Sequence, residues 1–103
     1  MANLGSLAAA REAQVINWVY ENRRNDSFTA DTVFFSIFEG RPMNDRMIKQ
    51  VGECYRVACR DLCRKQVFKQ GGDPKLETYA LNEDDETMEI INEARNTVQE
   101  NEM

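Results

Sequence analysis

The sequence predicts a mainly α-helical domain with a small β-hairpin, an α+β class of three helices, one hairpin and an acidic C-terminal extension. Apolar residues follow a helical period in three segments up to about residue 65, and strand-forming residues then flank a Gly-Gly pair. With 103 residues, 42% hydrophobic and 30% charged, the chain has room for one globular domain with a single core. We assign residues 1–81 to this domain and 82–103 to an acidic tail or a short dimerisation helix.

The first predicted helix extends from about Ser6 to Asn22. Its early turns are rich in alanine, which favours helix formation. The spacing of Val15, Ile16, Val19 and Tyr20 lines one face of this helix, which we expect to pack against the core.

A short strand and a second helix follow the polar turn at residues 23–27. Phe28 is the isolated apolar residue that predicts the strand, and Thr29 is suited to cap the next helix. That helix is expected from Ala30 to about Phe38, with Gly40 ending it. Because apolar residues lie almost all round it, core burial and a surface anchor for a partner are both open interpretations.

The third predicted helix begins after the N-cap residue Asn44 and extends to about Lys65. Its apolar stripe consists of Ile48, Val51, Tyr55, Ala58 and Leu62. The opposite face has five cations and one acid, namely Arg46, Lys49, Arg56, Arg60, Arg64 and Glu53. Gly52 is unfavourable inside a helix, so an earlier end or a kink is the alternative to one long helix.

A β-hairpin is expected after this helix. Gln66 to Lys69 and Leu76 to Leu81 are rich in strand formers and flank a loop at residues 71–74. The loop is longer than a tight two-residue turn, so the hairpin can project from the domain with Lys69 and Lys75 near its tip.

Charge is distributed unevenly along the chain. The net charge is −5, but residues 82–103 hold eight acids and one base, a net charge of −7, which leaves +2 on the first 81 residues. Residues 41–75 contain nine bases and four acids. A basic middle segment is typical of proteins that bind polyanions, whereas the overall charge is not.

Several function classes lack the residues that they require. The chain has no histidine, no Gly-x-Ser-x-Gly motif and no phosphate-binding glycine loop before a helix, so we expect neither an enzyme nor a cofactor. Cys54, Cys59 and Cys63 share one predicted helix, where reduced thiols are expected rather than disulfides or a zinc site. The absence of a signal peptide or an apolar run of about 18 residues predicts a cytoplasmic protein without membrane contact.

The order helix, strand, helix, helix, hairpin resembles that of the winged helix-turn-helix superfamily. The resemblance covers about Leu7 to Leu81 and rests on Phe28-Thr29, on Asn44 before the basic helix and on the hairpin that closes with Tyr79-Ala80-Leu81. It implies that the third helix lies in the DNA major groove and that the wing contacts the backbone. The DNA-binding residues it indicates are Arg46, Lys49, Gln50, Glu53 and Arg56 at the groove, with Arg60, Arg64, Lys65, Lys69 and Lys75 at phosphates.

The sequence therefore predicts a small transcriptional regulator that binds double-stranded DNA, as a homodimer, without metal or cofactor. The alternative is a winged-helix adaptor or inhibitor that binds another protein, similar in size to regulators encoded by phages and plasmids. Possible partner contacts are Phe34, Phe35, Phe38, Met88, Ile91 and Val98. For the acidic end, three accounts stay open: a disordered tail, a dimerisation helix, or a segment that competes with DNA for the basic face.

Overall fold

The computed structural model describes residues 4–72, 75 and 77–101, and within these ranges the side chains of residues 8–99. The chain forms α1 (Leu4–Asn22), β1 (Phe28–Thr29), α2 (Ala30–Ile37), α3 (Asp45–Arg64), β2 (Phe68–Gln70), β3 (Thr78–Leu81) and α4 (Asp85–Asn101). It is a mainly helical α+β fold with a small antiparallel sheet. The predicted loop residues Asp73 and Pro74, the strand residue Leu76 and residues 102–103 of the acidic end lie outside the described residues.

The three strands form one antiparallel sheet in the order β1-β3-β2. β3 pairs with β2 through Phe68 opposite Leu81, and with β1 through Phe28 opposite Tyr79. The first strand, which comes before α2, is therefore joined to the strand that closes the hairpin. This pairing fixes the hairpin to the helical part of the molecule.

Two predicted helix starts are confirmed, each with its side-chain cap. Thr29 Oγ1 accepts a hydrogen bond from the Thr32 backbone N–H at 3.2 Å, and Asn44 Oδ1 accepts one from the Met47 N–H at 2.8 Å. These caps satisfy backbone donors that have no partner within the helix. The third helix neither ends early nor breaks at Gly52, which is buried against the Phe34 ring.

The end of α3 differs from the prediction. Gln66 and Val67 were expected in the first hairpin strand, but Gln66 has a left-handed backbone with φ of 69°. The Gln66 N–H donates to the Cys63 carbonyl at 3.0 Å and the Val67 N–H donates to the Leu62 carbonyl at 2.9 Å. This pair of bonds is the Schellman motif, which ends the helix and delays the strand until Phe68.

The core lies between α1, α2, α3 and the inner face of the sheet. Phe28 and Phe68 meet edge to face with ring centroids 5.0 Å apart, and Phe34 packs on Tyr55 at 5.6 Å. Val15 and Val19 of α1 are fully buried in the same cluster. The predicted apolar face of the first helix is thus the face that packs.

Residues 85–101 form a helix that packs along α1, so the disordered-tail account does not hold for them. Ile91 is fully buried and Ala94 is 8% exposed. Arg95 lies over the Tyr20 ring at 4.2 Å and hydrogen-bonds to Asn17 at 3.3 Å. Despite its acids, α4 contributes to the same core as the first 81 residues.

None of the helices in the described ranges has the length and apolar character that crossing a membrane requires.

Candidate functional site

The outward face of α3 is the predicted binding face, and most of its predicted residues are exposed. The apolar stripe is oriented as expected, with Tyr55, Ala58 and Leu62 buried. Arg56 is half-buried at the edge of the outward face. The exposed predicted residues of this helix are Arg46, Lys49, Gln50, Glu53, Arg60 and Arg64.

The two central arginines of this face are paired with carboxylates of the same chain. Arg56 donates from Nε to Asp31 Oδ1 of α2 at 3.3 Å and from Nη1 to Glu53 Oε2 at 3.1 Å. The hydrogen bond to Glu53, followed by the charge of Asp31, raises the pKa of Arg56. Arg56 therefore bridges α3 and α2.

Arg60 makes a two-bond contact with Glu77, which precedes β3. Its Nε lies 3.1 Å from Glu77 Oε1 and its Nη2 lies 3.3 Å from Oε2. These hydrogen bonds raise the pKa of Arg60 and lower the pKa of Glu77. Because Arg60 also approaches Glu53 at 3.8 Å, three acids and two arginines form one chain across the face. The centre of the face is therefore not cationic.

Cations at the two ends of the face have a different environment. Arg46 and Lys49 are exposed near the start of α3, and within the described part of the chain neither has a carboxylate partner. Arg64 pairs with Asp61 at 3.4 Å, yet 80% of its side chain is exposed. Lys69 and Lys75 are exposed on the hairpin.

Lys65 does not join this face. Its Nζ lies 2.8 Å from Glu12 Oε1 of α1, on the flank of α3 that packs towards the first helix. Its charge is directed to Glu12 of α1, and its contact with a DNA phosphate stays a prediction.

A polar cleft of about 770 Å³ separates the second half of α3 from the hairpin. Arg60, Arg64 and Lys75 line it together with Glu77 and the half-buried Cys63. Glu77 binds Arg60 and Asp61 pairs with Arg64, so acids of the same chain balance part of the positive charge of this cleft.

The predicted partner contacts divide into three groups. Phe34 and Ile91 lie in the core with at most 1% exposure, so they present no surface to a partner. Phe38, Met88 and Val98 are partly buried and pack against the core. Phe35 is 53% exposed, so of the three predicted phenylalanine contacts it is the one that lies on the surface.

Sequence reasoning missed the residues that neutralise the basic face. Asp31 and Glu77 are distant from α3 in the chain, and no local spacing links them to Arg56 or Arg60. The sequence also did not predict that the large apolar residues Met47, Val57 and Ile90 are exposed on the surface. Their exposure depends on which helices pack together, which the helical period alone does not reveal.

The three cysteines are free thiols. Burial raises the pKa of Cys59 to about 12, which keeps this thiol neutral. In the described ranges, no group of three Cys, Asp or Glu residues is arranged to hold a metal ion.

No protein-family model matches the chain, and no curated protein and no solved structure matches it either.

Proposed function

We propose that this chain is a winged-helix protein that binds double-stranded DNA through the start of α3 and the hairpin. The order of its elements, with β1 paired to the strand that closes the hairpin, supports the fold assignment. The observation that carries the function is the exposure of Arg46, Lys49 and Gln50 on one helix face without carboxylate partners among the described residues. In helix-turn-helix proteins, the first turns of this helix meet the bases.

The chemistry of each group suggests its role. Arg46 is suited to the two acceptors of guanine, and Gln50 to the donor and acceptor of adenine. Lys49 supplies a positive charge to either groove or backbone. Arg64 and Lys75 line the cleft beside the hairpin and Lys69 is exposed on β2, and in this proposal all three meet phosphates of the backbone.

Arg56 and Arg60 enter this interface only if phosphates replace their carboxylate partners. Exposed ion pairs contribute little to the stability of a protein, so this exchange costs little. The acids, however, remain near the DNA after the exchange and oppose binding. We therefore expect moderate affinity, strongly weakened by salt. A cytoplasmic location and a role in transcription regulation belong to the same proposal.

The test is a titration of the full chain against a labelled mixed-sequence duplex at several salt concentrations. We expect the double variant Arg46→Gln, Lys49→Gln to bind at least about tenfold more weakly than the wild type at low salt. Its plot of log affinity against log salt should be shallower by about one unit for each phosphate that the variant no longer neutralises. Glu77→Gln should bind more tightly, because it removes an acid and releases Arg60.

The matched control is Arg11→Gln, Arg23→Gln, which removes the same charge from α1 and the turn after it. This control should lose much less affinity than the Arg46, Lys49 pair. The DNA proposal fails if the wild type does not bind duplex at low salt, or if both double variants lose affinity equally.

The second candidate is a protein-binding module that uses the exposed side of α2. It is favoured by Phe35, which is 53% exposed next to the ion-paired Asp31. An exposed aromatic residue beside paired charges is typical of a contact between proteins. Absence of duplex binding in the titration above would favour this candidate.

A further inference from the structure

An apolar groove runs between α1 and α4, away from the outward face of α3. Its volume is about 760 Å³. The floor is formed by Ile16, Leu62 and Val67, and one wall by small residues of α1 such as Ala9 and Ala13. Small side chains on a wall let another backbone approach closely. The groove thus has the shape of a site for an extended or helical segment.

The other wall belongs to α4 and combines an exposed apolar residue with acids. Ile90 is 44% exposed in the groove, and Glu93 lines it one turn further along. Glu86 lies four residues before Ile90 and Glu89 four before Glu93, which places them along the same side of the helix. All three glutamates are exposed and have no ion pair with any residue that the structure describes.

The other charges at the groove do not offset this acidity. Glu12 of α1 is the partner of Lys65 at 2.8 Å, so these two side chains neutralise each other. What remains accessible along the groove is Ile90 and the exposed alanines of α1, beside carboxylates that have no ion pair among the described residues. Its complement is a segment with apolar residues on one side and lysine or arginine on the other.

We propose that this groove binds a basic amphipathic helix of a partner protein. Apolar side chains of that helix would cover Ile90 and the exposed alanines of the α1 wall, while its cations would meet Glu86, Glu89 and Glu93. A second copy of this chain fits less well. Contacts across a two-fold axis would bring two sets of α4 carboxylates together, and like charges oppose association.

This proposal is independent of DNA binding, because the groove and the outward face of α3 share no residue. A protein that binds DNA on one face and a basic helix on another would connect the two ligands. If the DNA proposal fails, the groove can still be tested on its own.

The experiment uses a synthetic labelled peptide of leucine and lysine whose leucines lie on one face of a helix. A second peptide of the same composition has its leucines spread around the helix. We expect the full chain to bind the amphipathic peptide at least about tenfold more tightly than the scrambled one, measured by fluorescence anisotropy. Equal binding of the two peptides would overturn the proposal.

Ile90→Glu separates groove binding from simple charge attraction. This variant removes the apolar contact and adds an acid, so we expect binding about tenfold weaker, whereas charge attraction alone would make it tighter. The matched control Phe35→Glu makes the same kind of change on α2 and should bind at least as well as the wild type. Binding by Ile90→Glu that equals or exceeds the wild type would contradict the groove.

Glu93→Lys provides a second, milder variant, with Glu39→Lys at an exposed position outside the groove as its control. We expect the first to weaken binding several-fold more than the second, because only Glu93 lies on the groove wall. Equal losses in the two variants would contradict the proposal. Analytical sedimentation tests whether a second copy of the chain occupies the groove instead. If the wild type is a dimer and Ile90→Glu is a monomer, the groove belongs to a second copy and the proposal is overturned.

Discussion

The basic residues on and next to α3 differ in their environment because different elements supply their neighbours. Arg46 and Arg60 are both exposed on the outward face, yet Arg60 forms two bonds to Glu77. Arg56 is connected to α2 through Asp31, and Lys65 to α1 through Glu12. The helical period predicted which cations share a face. It did not predict which of them retain an unbalanced charge.

The thiols of α3 give a prediction at the same scale. With iodoacetamide at about pH 8, we expect Cys54 and Cys63 of the native protein to be alkylated before Cys59. Burial raises the pKa of Cys59 to about 12, so its reactive thiolate forms only at pH values well above the assay. The other two thiols are only half-buried. Peptide mass spectrometry after timed quenching measures each rate.

In urea, where the core is lost, the three thiols should react at similar rates. Labelling of Cys59 in the native protein as fast as Cys63 would contradict the buried position of this residue.

The helices α2 and α3 begin where the sequence indicated, but α3 ends at an unusual residue. Thr29 and Asn44 are common N-cap types, so their starts were readable from local sequence. The helix ends at a left-handed Gln66, where glycine is the common residue. Leu62 and Val67, both 1% exposed, are the apolar pair that accompanies a Schellman motif. Burial of this pair compensates the strain at Gln66.

The left-handed turn at Gln66 predicts that glycine changes the free energy of unfolding in opposite directions at position 66 and in β2. Gln66→Gly should raise the free energy of unfolding by about 0.5–1 kcal/mol, because glycine removes the left-handed strain at some cost in chain entropy. Gln70→Gly in β2 should lower it by about 0.5–1 kcal/mol, because the strand conformation gains nothing from glycine. Urea unfolding followed by circular dichroism measures both changes. Equal destabilisation by the two variants would show that the Gln66 conformation carries no strain.

At the scale of the whole molecule, α4 is part of the domain. Its buried residue Ile91 joins the core cluster, while its exposed acids dominate the charge of the segment. The ion pair of Arg24 with Glu83 lies just before the helix, and Arg95 reaches Glu21 of α1 at 3.7 Å. The composition of this segment is dominated by acids, but the apolar residues on one side of α4 are sufficient for it to pack on α1.

Substitutions of the two adjacent isoleucines of α4 test whether this helix shares the core of the domain. Ile91→Ala should lower the free energy of unfolding by about 2–5 kcal/mol, because the side chain is fully buried and its loss leaves a cavity. Ile90→Ala should cost less than about 1 kcal/mol, since Ile90 is 44% exposed. Urea unfolding of the two variants provides the comparison. Similar small losses would mean that α4 does not share the core of the domain.

The sequence by itself determined the helices before residue 65, the N-caps of α2 and α3, the apolar faces of α1 and α3, and the presence of a hairpin. These features depend on contacts between residues a few positions apart, which periodicity and capping chemistry report directly. The tertiary structure decided the pairing of β1 with β3, the position of α4, the exposure of Phe35 and Ile90, and the ion pairs of Arg56, Arg60 and Lys65. Each of these depends on residues distant in the chain, whose proximity no local pattern encodes.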